Sequence, residues 1–246
     1  MIVSKSKEQL AEEKQVVARA ALGFVRSGMR LGLGSGSTSH CFIRLLGEQV
    51  RKGVLRVEGI ATSKDSERLA RECGITLIEP ARGLKLDLGI DGADEIGPQL
   101  ELIKGGGGAL LREKVVERAC RYFLVIADSS KIVPCLGAFP LPVEVIPFSL
   151  PWVLGELEEL GGKPVQRMSG DRPYMTDQQN YIVDCHFGKI KDPRRLASNL
   201  ETIPGIAEHG LFIDYAKAAL TADGEQVSVW LAGKPACPLP NFSELP

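Results

Sequence analysis

The sequence predicts an α/β fold: a Rossmann-like parallel-sheet domain with an inserted, smaller α+β domain of the ferredoxin-like kind. Three observations predict it. Apolar strand-like runs alternate with helix-like runs through the first 138 residues, the pattern of a mostly parallel sheet covered by helices on both faces. Near Phe139 the pattern changes, with Pro140, Pro142, Pro147 and Pro151 punctuating the chain, and the order becomes β-α-β-β-α-β, that of a split βαβ module. Beyond residue 210 the chain returns with two short strands around an Asp223-Gly224 turn, a hairpin signal. The expected division is therefore 1–138 plus 211–246 for the Rossmann-like catalytic domain and 139–210 for the insert.

The elements follow in order. Ser6 and Gln9 have capping-box spacing ahead of a first helix, and Gly28 follows its last periodic residue,. Leu10, Val17, Ala21 and Phe24 form its apolar stripe,. Lys14 falls on that stripe, where a lysine either snorkels outward or meets an anion; the pattern alone favours snorkelling. A strand over 29–33 leads to Gly34-Ser35-Gly36-Ser37-Thr38 and a helix carrying Cys41, Phe42, Leu45 and Leu46. Further strands are expected at 54–60, 75–78, 86–90, 100–103 and 123–127, with helices over 63–73 and 109–121. The insert reads as strands at 143–148, 164–168, 181–187 and 207–212, with helices at 152–160 and 193–203. Strands at 217–221 and 226–230 complete the pattern. From Gly233 the chain is Pro-rich and aperiodic, and it reads as a loose tail.

Bulk properties narrow the function. With 246 residues there is room for one large domain with a smaller one attached,. The formal net charge is −1, which gives no broad electrostatic grip on nucleic acid or an acidic membrane. Aromatics make up only 6%, too few to suggest base-stacking platforms. Six cysteines are spread evenly without a C-x-x-C pair, as expected for reduced thiols in the cytoplasm. His40, His186 and His209 lie far apart, so no clustered metal motif is visible. No stretch approaches the ~20 apolar residues of a membrane helix, and no signal peptide is visible.

Four polar segments carry the chemistry. Gly34-Ser35-Gly36-Ser37-Thr38 lies between strand and helix, where free amides and hydroxyls suit a phosphate. It lacks the Gly-Lys-Ser/Thr of a Walker A loop, and Ser37 stands where the last glycine of G-x-G-x-x-G would be, so nucleotides are disfavoured. Asp91-Gly92-Ala93-Asp94-Glu95 follows an apolar strand; carboxylates there can bind sugar hydroxyls or shuttle a ring proton. A metal site is the minority alternative, since the spacing fails the EF-hand pattern. Lys104-Gly105-Gly106-Gly107-Gly108 is costly to order and suggests close backbone approach to a small ligand, with Lys104 facing an oxyanion. Glu113, beside Lys114 and one turn into the next helix, fits the part of a general base. Ala127-Asp128-Ser129-Ser130-Lys131 follows another apolar strand and offers Lys131 to a phosphate. Each segment alone is more commonly an ordinary turn, an exposed helix residue or a solvated loop. Each, however, follows a strand expected in one parallel sheet, and such loops converge on one edge. Together they describe a site for a small phosphorylated polyol.

In series, these segments resemble the A-type ribose-5-phosphate isomerases: GLGSGSTS at 32–39, DGADEI at 91–96, KGGGGAL at 104–110, LREK at 111–114, ADSSK at 127–131 and FPLPVEVIP at 139–147. The resemblance spans nearly the whole chain. It implies a cofactor-free, metal-free enzyme of the non-oxidative pentose phosphate pathway that interconverts D-ribose 5-phosphate and D-ribulose 5-phosphate through an enediolate. By that similarity Glu113 is the proton acceptor, while Asp91, Asp94 and Lys104 handle ring opening and the charge on O1 and O2. Ser35, Gly36, Ser37 and Thr38, with Lys131, hold the phosphate. Gly92, Ala93, Gly105, Gly106 and Gly107 complete the substrate contacts. Lys14 matches a lysine of many relatives, which gives its place in the apolar stripe a reason. The resemblance also implies a homodimer or homotetramer. Ser35 stands where relatives often have Thr, and Gly108 where they often have Ala. Two other classes fit the sequence less well. A sugar-phosphate-sensing regulator would carry a helix-turn-helix segment, and none is visible. A CoA-transferase would need a covalent glutamate and a long groove.

Overall fold

The computed structural model describes residues 5–239. In chain order the elements are α1 Lys7–Leu22, β1 Arg30–Leu33, α2 Gly36–Arg51, β2 Glu58–Ala61, α3 Lys64–Glu72, β3 Thr76–Leu77, β4 Leu86–Asp91, β5 Glu95–Ile96, β6 Leu102–Ile103, α4 Leu110–Ala119 and β7 Cys120–Asp128. Then come β8 Leu141–Val145, α5 Leu150–Glu159, β9 Lys163–Gln166, β10 Met168–Ser169, β11 Arg172–Pro173, β12 Tyr181–His186, α6 Pro193–Glu201 and β13 Ile206–His209. The last are β14 Leu211–Phe212, β15 Ala218–Asp223, β16 Gln226–Trp230 and β17 Cys237–Pro238.

The main sheet has the order β17-β16-β15-β7-β4-β1-β2-β3. It is parallel from β15 to β3, with β16 and β17 added antiparallel at one edge. β4 and β7 are covered on both faces, which is why they read as continuous apolar runs rather than alternating ones. From β1 the chain winds outward through β2 and β3 on one side, and through β4, β7 and β15 on the other. The topological switch point thus lies between β1 and β4, where α/β sheets bind ligands beyond their carboxyl ends. α1 carries the expected capping box, and Val17, Ala18 and Ala21 are fully buried in the main core with Phe42, Ile43 and Leu46 of α2.

Several expectations are corrected. α1 stops at Leu22 rather than near Gly28, because the Gly23 amide turns back onto the Ala20 and Ala21 carbonyls. Phe24 and Val25 still pack into the core from the turn that follows, so apolar periodicity outlasts the helix. The strand before Lys104 does not join the parallel sheet. A turn over 97–100 folds β6 antiparallel onto β5, and β14 takes its other edge, making a separate three-stranded sheet. Finally, the segment after Gly233 is not loose throughout, since Cys237 and Pro238 pair with Val229 and Ser228. The remainder of that predicted tail, 240–246, lies outside the described residues.

Within the stretch read as an insert, four strands form an antiparallel sheet of order β13-β8-β12-β9. Val143, Val183, Val153, Leu157 and Leu200 bury one core between that sheet and the helices α5 and α6. The strand expected over 207–212 is divided at Gly210. Its amide donates to Pro142 O and its carbonyl accepts from the Lys104 amide. The chain thereby crosses from the four-stranded sheet to the three-stranded one beside the glycine loop.

Candidate active site

The carboxyl edge of β1 and β4 opens into a cavity of about 150 Å³. Its wall is built from all four predicted loops: Lys14, Ser35–Thr38, Gly92–Asp94, Lys104–Gly107, Glu113 and Lys131. Of the residues predicted for the site, Asp91 alone is not on that wall.

α2 begins at Gly36, and its N-cap Ser35 makes no side-chain cap bond. The Ser35 hydroxyl instead lies 2.6 Å from Thr62 Oγ1. The first amides of a sixteen-residue helix are therefore left for a ligand, and with the helix dipole they form an anion site. Lys14 and Lys131 stand on the same wall, Lys14 with its Nζ 4.0 Å from Asp128 Oδ2. Lys131 ends a short 3₁₀ turn after β7. That turn is pinned by buried Glu13 of α1, whose Oε2 accepts from the Ser129 amide at 3.2 Å and hydroxyl at 3.1 Å.

Asp91 lies behind the wall, 1% exposed. Its Oδ1 accepts from the Ser35 amide, Ser39 Oγ and the Gly92 amide at 2.9, 2.8 and 2.7 Å. Gly34 permits this seat, because a Cβ there would meet Asp91 Oδ1 at 2.1 Å. Asp94 faces the cavity, and its Oδ2 accepts from the Gly106 amide at 2.7 Å. A Cβ on Gly106 would strike the same carboxyl at 2.6 Å. Burial pushes the Asp94 carboxyl above its ordinary pKa, against the pull of that amide and of Lys104.

Lys104 is 2% exposed and sits among three carboxyls. Its Nζ is 3.0 Å from Asp91, 3.5 Å from Glu113 and 3.2 Å from Glu117, and it donates to Gly92 O at 2.6 Å. Burial alone would lower its pKa, but the charges of Asp91, Glu113 and Glu117 outweigh burial and hold the ammonium well above its usual value. Glu113 lies at the start of α4, 6% exposed and on the cavity wall. Burial pushes its carboxyl up to about 8; Lys104 opposes the rise, and Asp91 and Asp94 add to it. A carboxylate so placed is a strong base that water does not solvate. Among the described residues no group of His, Cys, Asp and Glu is arranged to hold a metal ion; the Lys104 ammonium stands where the three carboxyls converge.

Several contributors were not singled out from the sequence. Glu117 is buried one turn beyond Glu113, and its only signal was that i,i+4 spacing. Arg167 comes from the four-stranded sheet's side and donates to Gly105 O at 3.1 Å and Gly106 O at 2.9 Å. Asp184 holds its guanidinium, with Nε to Oδ2 at 2.8 Å. Tyr174 Oη donates to Gly107 O at 3.1 Å. Three successive carbonyls of the glycine loop are thus engaged by side chains some sixty residues away, a link no local pattern announces.

A family model described as Ribose 5-phosphate isomerase A (phosphoriboisomerase A) matches residues 58–226. The ribose-5-phosphate isomerase A of Bartonella bacilliformis is 50% identical over 222 residues, covering 87% of this chain and 95% of that protein. The solved ribose 5-phosphate isomerase A of Methanocaldococcus jannaschii superposes with a TM-score of 0.85 at 38% identity, over 92% of this chain and 100% of the other. A D-ribose-5-phosphate isomerase solved in complex with phospho-erythronic acid gives a TM-score of 0.88 at 38% identity, over 90% of this chain and 99% of the other. With the family match, the identity and the whole-chain superposition in agreement, the chain belongs to the ribose 5-phosphate isomerase A family.

Proposed function

We propose that this chain interconverts D-ribose 5-phosphate and D-ribulose 5-phosphate through an enediolate, with Glu113 as the base. The observation that carries the reading is a buried carboxyl on the cavity wall beside a buried ammonium and a glycine loop, opposite an uncapped helix N-terminus suited to phosphate,. Asp94 assists opening of the furanose, since it faces the cavity and burial raises its carboxyl above the ordinary pKa. Glu113 removes the proton from C2. The enediolate charge falls to Lys104 and the amides of Gly105 and Gly107, the Gly106 amide being engaged by Asp94. Glu113 then returns the proton to C1, while the hydroxyl proton of O2 passes to O1, so that C2 becomes the carbonyl. Asp91, off the wall and bonded to the Gly34–Ser35 turn, holds Lys104 in place. The phosphate, gripped by the α2 amides, Lys14 and Lys131, supplies binding energy that orients the reacting carbons. Hydrogen moves only as a proton, so the step balances without an oxidant or reductant.

The cavity of about 150 Å³ suits a sugar phosphate rather than coenzyme A. A pure sensor would have no use for an unsolvated base. The reading extends to the non-oxidative pentose phosphate pathway. Six free cysteines support a reducing compartment, the cytoplasm. Residues 139–210 act as an inserted unit whose Arg167 and Tyr174 brace the glycine loop from outside the domain formed by 1–138 and 211–246. The chain works as a homodimer or homotetramer, for which exposed Phe148 and Trp152, with ring centroids 5.7 Å apart, offer a contact surface.

The test is to mix EDTA-treated protein with ribose 5-phosphate and follow ribulose 5-phosphate. Glu113→Gln is expected to fold and bind substrate while kcat falls by about 10²–10⁴. Full turnover in that variant removes Glu113 from the role. Tight sugar-phosphate binding without turnover in the wild type would mark a sensing module instead.

A further inference from the structure

Glu117 has no part in the chemistry above, yet it is buried at the centre of the site. It is 4% exposed, one helical turn past Glu113, with Oε1 3.2 Å from Lys104 Nζ. Neither of its oxygens has a hydrogen-bond partner, and Asp91 Oδ2 and Glu113 Oε2 beside it also lack one. Lone buried oxygens of this kind are rare and need a cause. The ionisable groups facing Glu117 are Lys104 from the glycine loop, Asp91 from the end of β4, and Glu113 and Lys114 from its own helix. Cys120 at the start of β7 and Tyr215 after β14 complete the set. Lys114 is taken up by Glu208 and the His209 carbonyl, both at 2.6 Å. That leaves Lys104 as the one close cation for three carboxyls.

Three ionised carboxylates cannot share one buried ammonium without a large desolvation penalty. Asp91 Oδ1 already accepts from three donors, whereas Glu113 and Glu117 face Lys104 with oxygens that have no such donor. The missing proton must then sit on Glu113 or Glu117, which flank Lys104. We propose that Glu117 is a positioning residue that shares one proton with Glu113 across Lys104, so that Glu113 becomes the working carboxylate when Glu117 holds the proton. The transfer balances through the lysine. Its ammonium gives a proton to the Glu117 carboxylate and takes one from the Glu113 carboxyl, so one O–H bond forms, one breaks, and the ammonium is restored. Glu117 lies off the cavity wall, so the shared proton, while Glu117 holds it, is out of a ligand's reach.

The proposal rests on the isomerase reading, in which Glu113 is the base, and the experiment separates the two. kcat is measured against pH for the wild type and Glu117→Gln, with ribose 5-phosphate as substrate. The wild type is expected to show two coupled ionisations on its acid limb. In Glu117→Gln the upper one disappears and the limb moves to lower pH by about one unit, because Glu113 no longer titrates against an ionised neighbour. KM stays as it was. A variant profile that superimposes on the wild type overturns the proposal; a role in packing alone would leave the limb where it is. If Glu117→Gln does not fold, infrared difference spectra against pH on Glu113→Gln give the second readout. A buried protonated carboxyl at neutral pH is expected there, and its absence overturns the proposal. Should the wild type turn over no ribose 5-phosphate, the isomerase reading fails, and the infrared result still decides where the proton sits.

Discussion

At the scale of single residues, the site is a set of charges kept from water. Glu113 illustrates the cost. Its carboxyl is raised to about 8 by burial, whereas an unfolded chain has an ordinary glutamate. Between those values the folded state binds the extra proton, so this residue makes stability fall as pH rises through that window. Glu113→Gln is therefore expected to raise Tm at pH 8 relative to the wild type and to leave it nearly unchanged at pH 4, measured by thermal denaturation at both values. A Tm gain of equal size at both pH values would refute the electrostatic account. In the proposed reading Lys131 serves binding rather than chemistry. Removing a charge-assisted contact of about 1.5–3 kcal/mol should raise KM for the sugar phosphate about 10- to 100-fold in Lys131→Ala, with kcat changed less. An unchanged KM would take the phosphate away from this residue.

At the scale of elements, positioning dominates. The glycine loop has little stiffness of its own, and its carbonyls are tied outward by Arg167 and Tyr174. Turning the carbonyls outward leaves amides for the cavity side, the arrangement an oxyanion site needs. Arg167→Met is expected to reduce kcat by about tenfold or more while KM shifts little, because the proposed phosphate grip, made by α2, Lys14 and Lys131, does not include this loop. Steady-state kinetics would decide it: an effect confined to KM would mean that Arg167 serves binding. The 3₁₀ turn bearing Lys131 is held in the same spirit by Glu13, whose Oε1 also accepts from the Gly224 amide at 3.1 Å. One buried carboxylate thus ties α1, the phosphate-side turn and the β15–β16 hairpin together.

At the scale of the whole molecule, the parallel sheet sets the site, and the proposed assembly depends on the surfaces left over. β17 covers β16 and so protects an edge that would otherwise invite pairing with another chain. The exposed Phe148–Trp152 pair, 82% and 65% accessible, sits at the start of α5 and is not part of the cavity wall. Placing charge there with Trp152→Glu should shift the protein to monomers in sedimentation velocity while each site keeps its KM. Unchanged sedimentation would move the contact surface elsewhere.

What was legible in the sequence was everything carried by local pattern. The alternation of apolar runs marks the parallel sheet, and four polar segments at strand ends mark its ligand edge. Ser6 and Gln9 specify a helix start through bonds spanning three residues. These features depend on neighbours in sequence, where side-chain period and backbone chemistry act directly. Tertiary structure alone decided the rest. It sent β6 into a separate antiparallel sheet, because β5, across the turn over 97–100, and β14 satisfy its backbone on both edges. It withdrew Asp91 from the cavity and put Asp94 on it, although the two are three residues apart in one motif. It brought Arg167 onto Gly105 and Gly106 and Glu117 onto Lys104. Such pairings follow from which buried polar groups find partners once the core has closed, and that condition is met across the fold rather than along the chain.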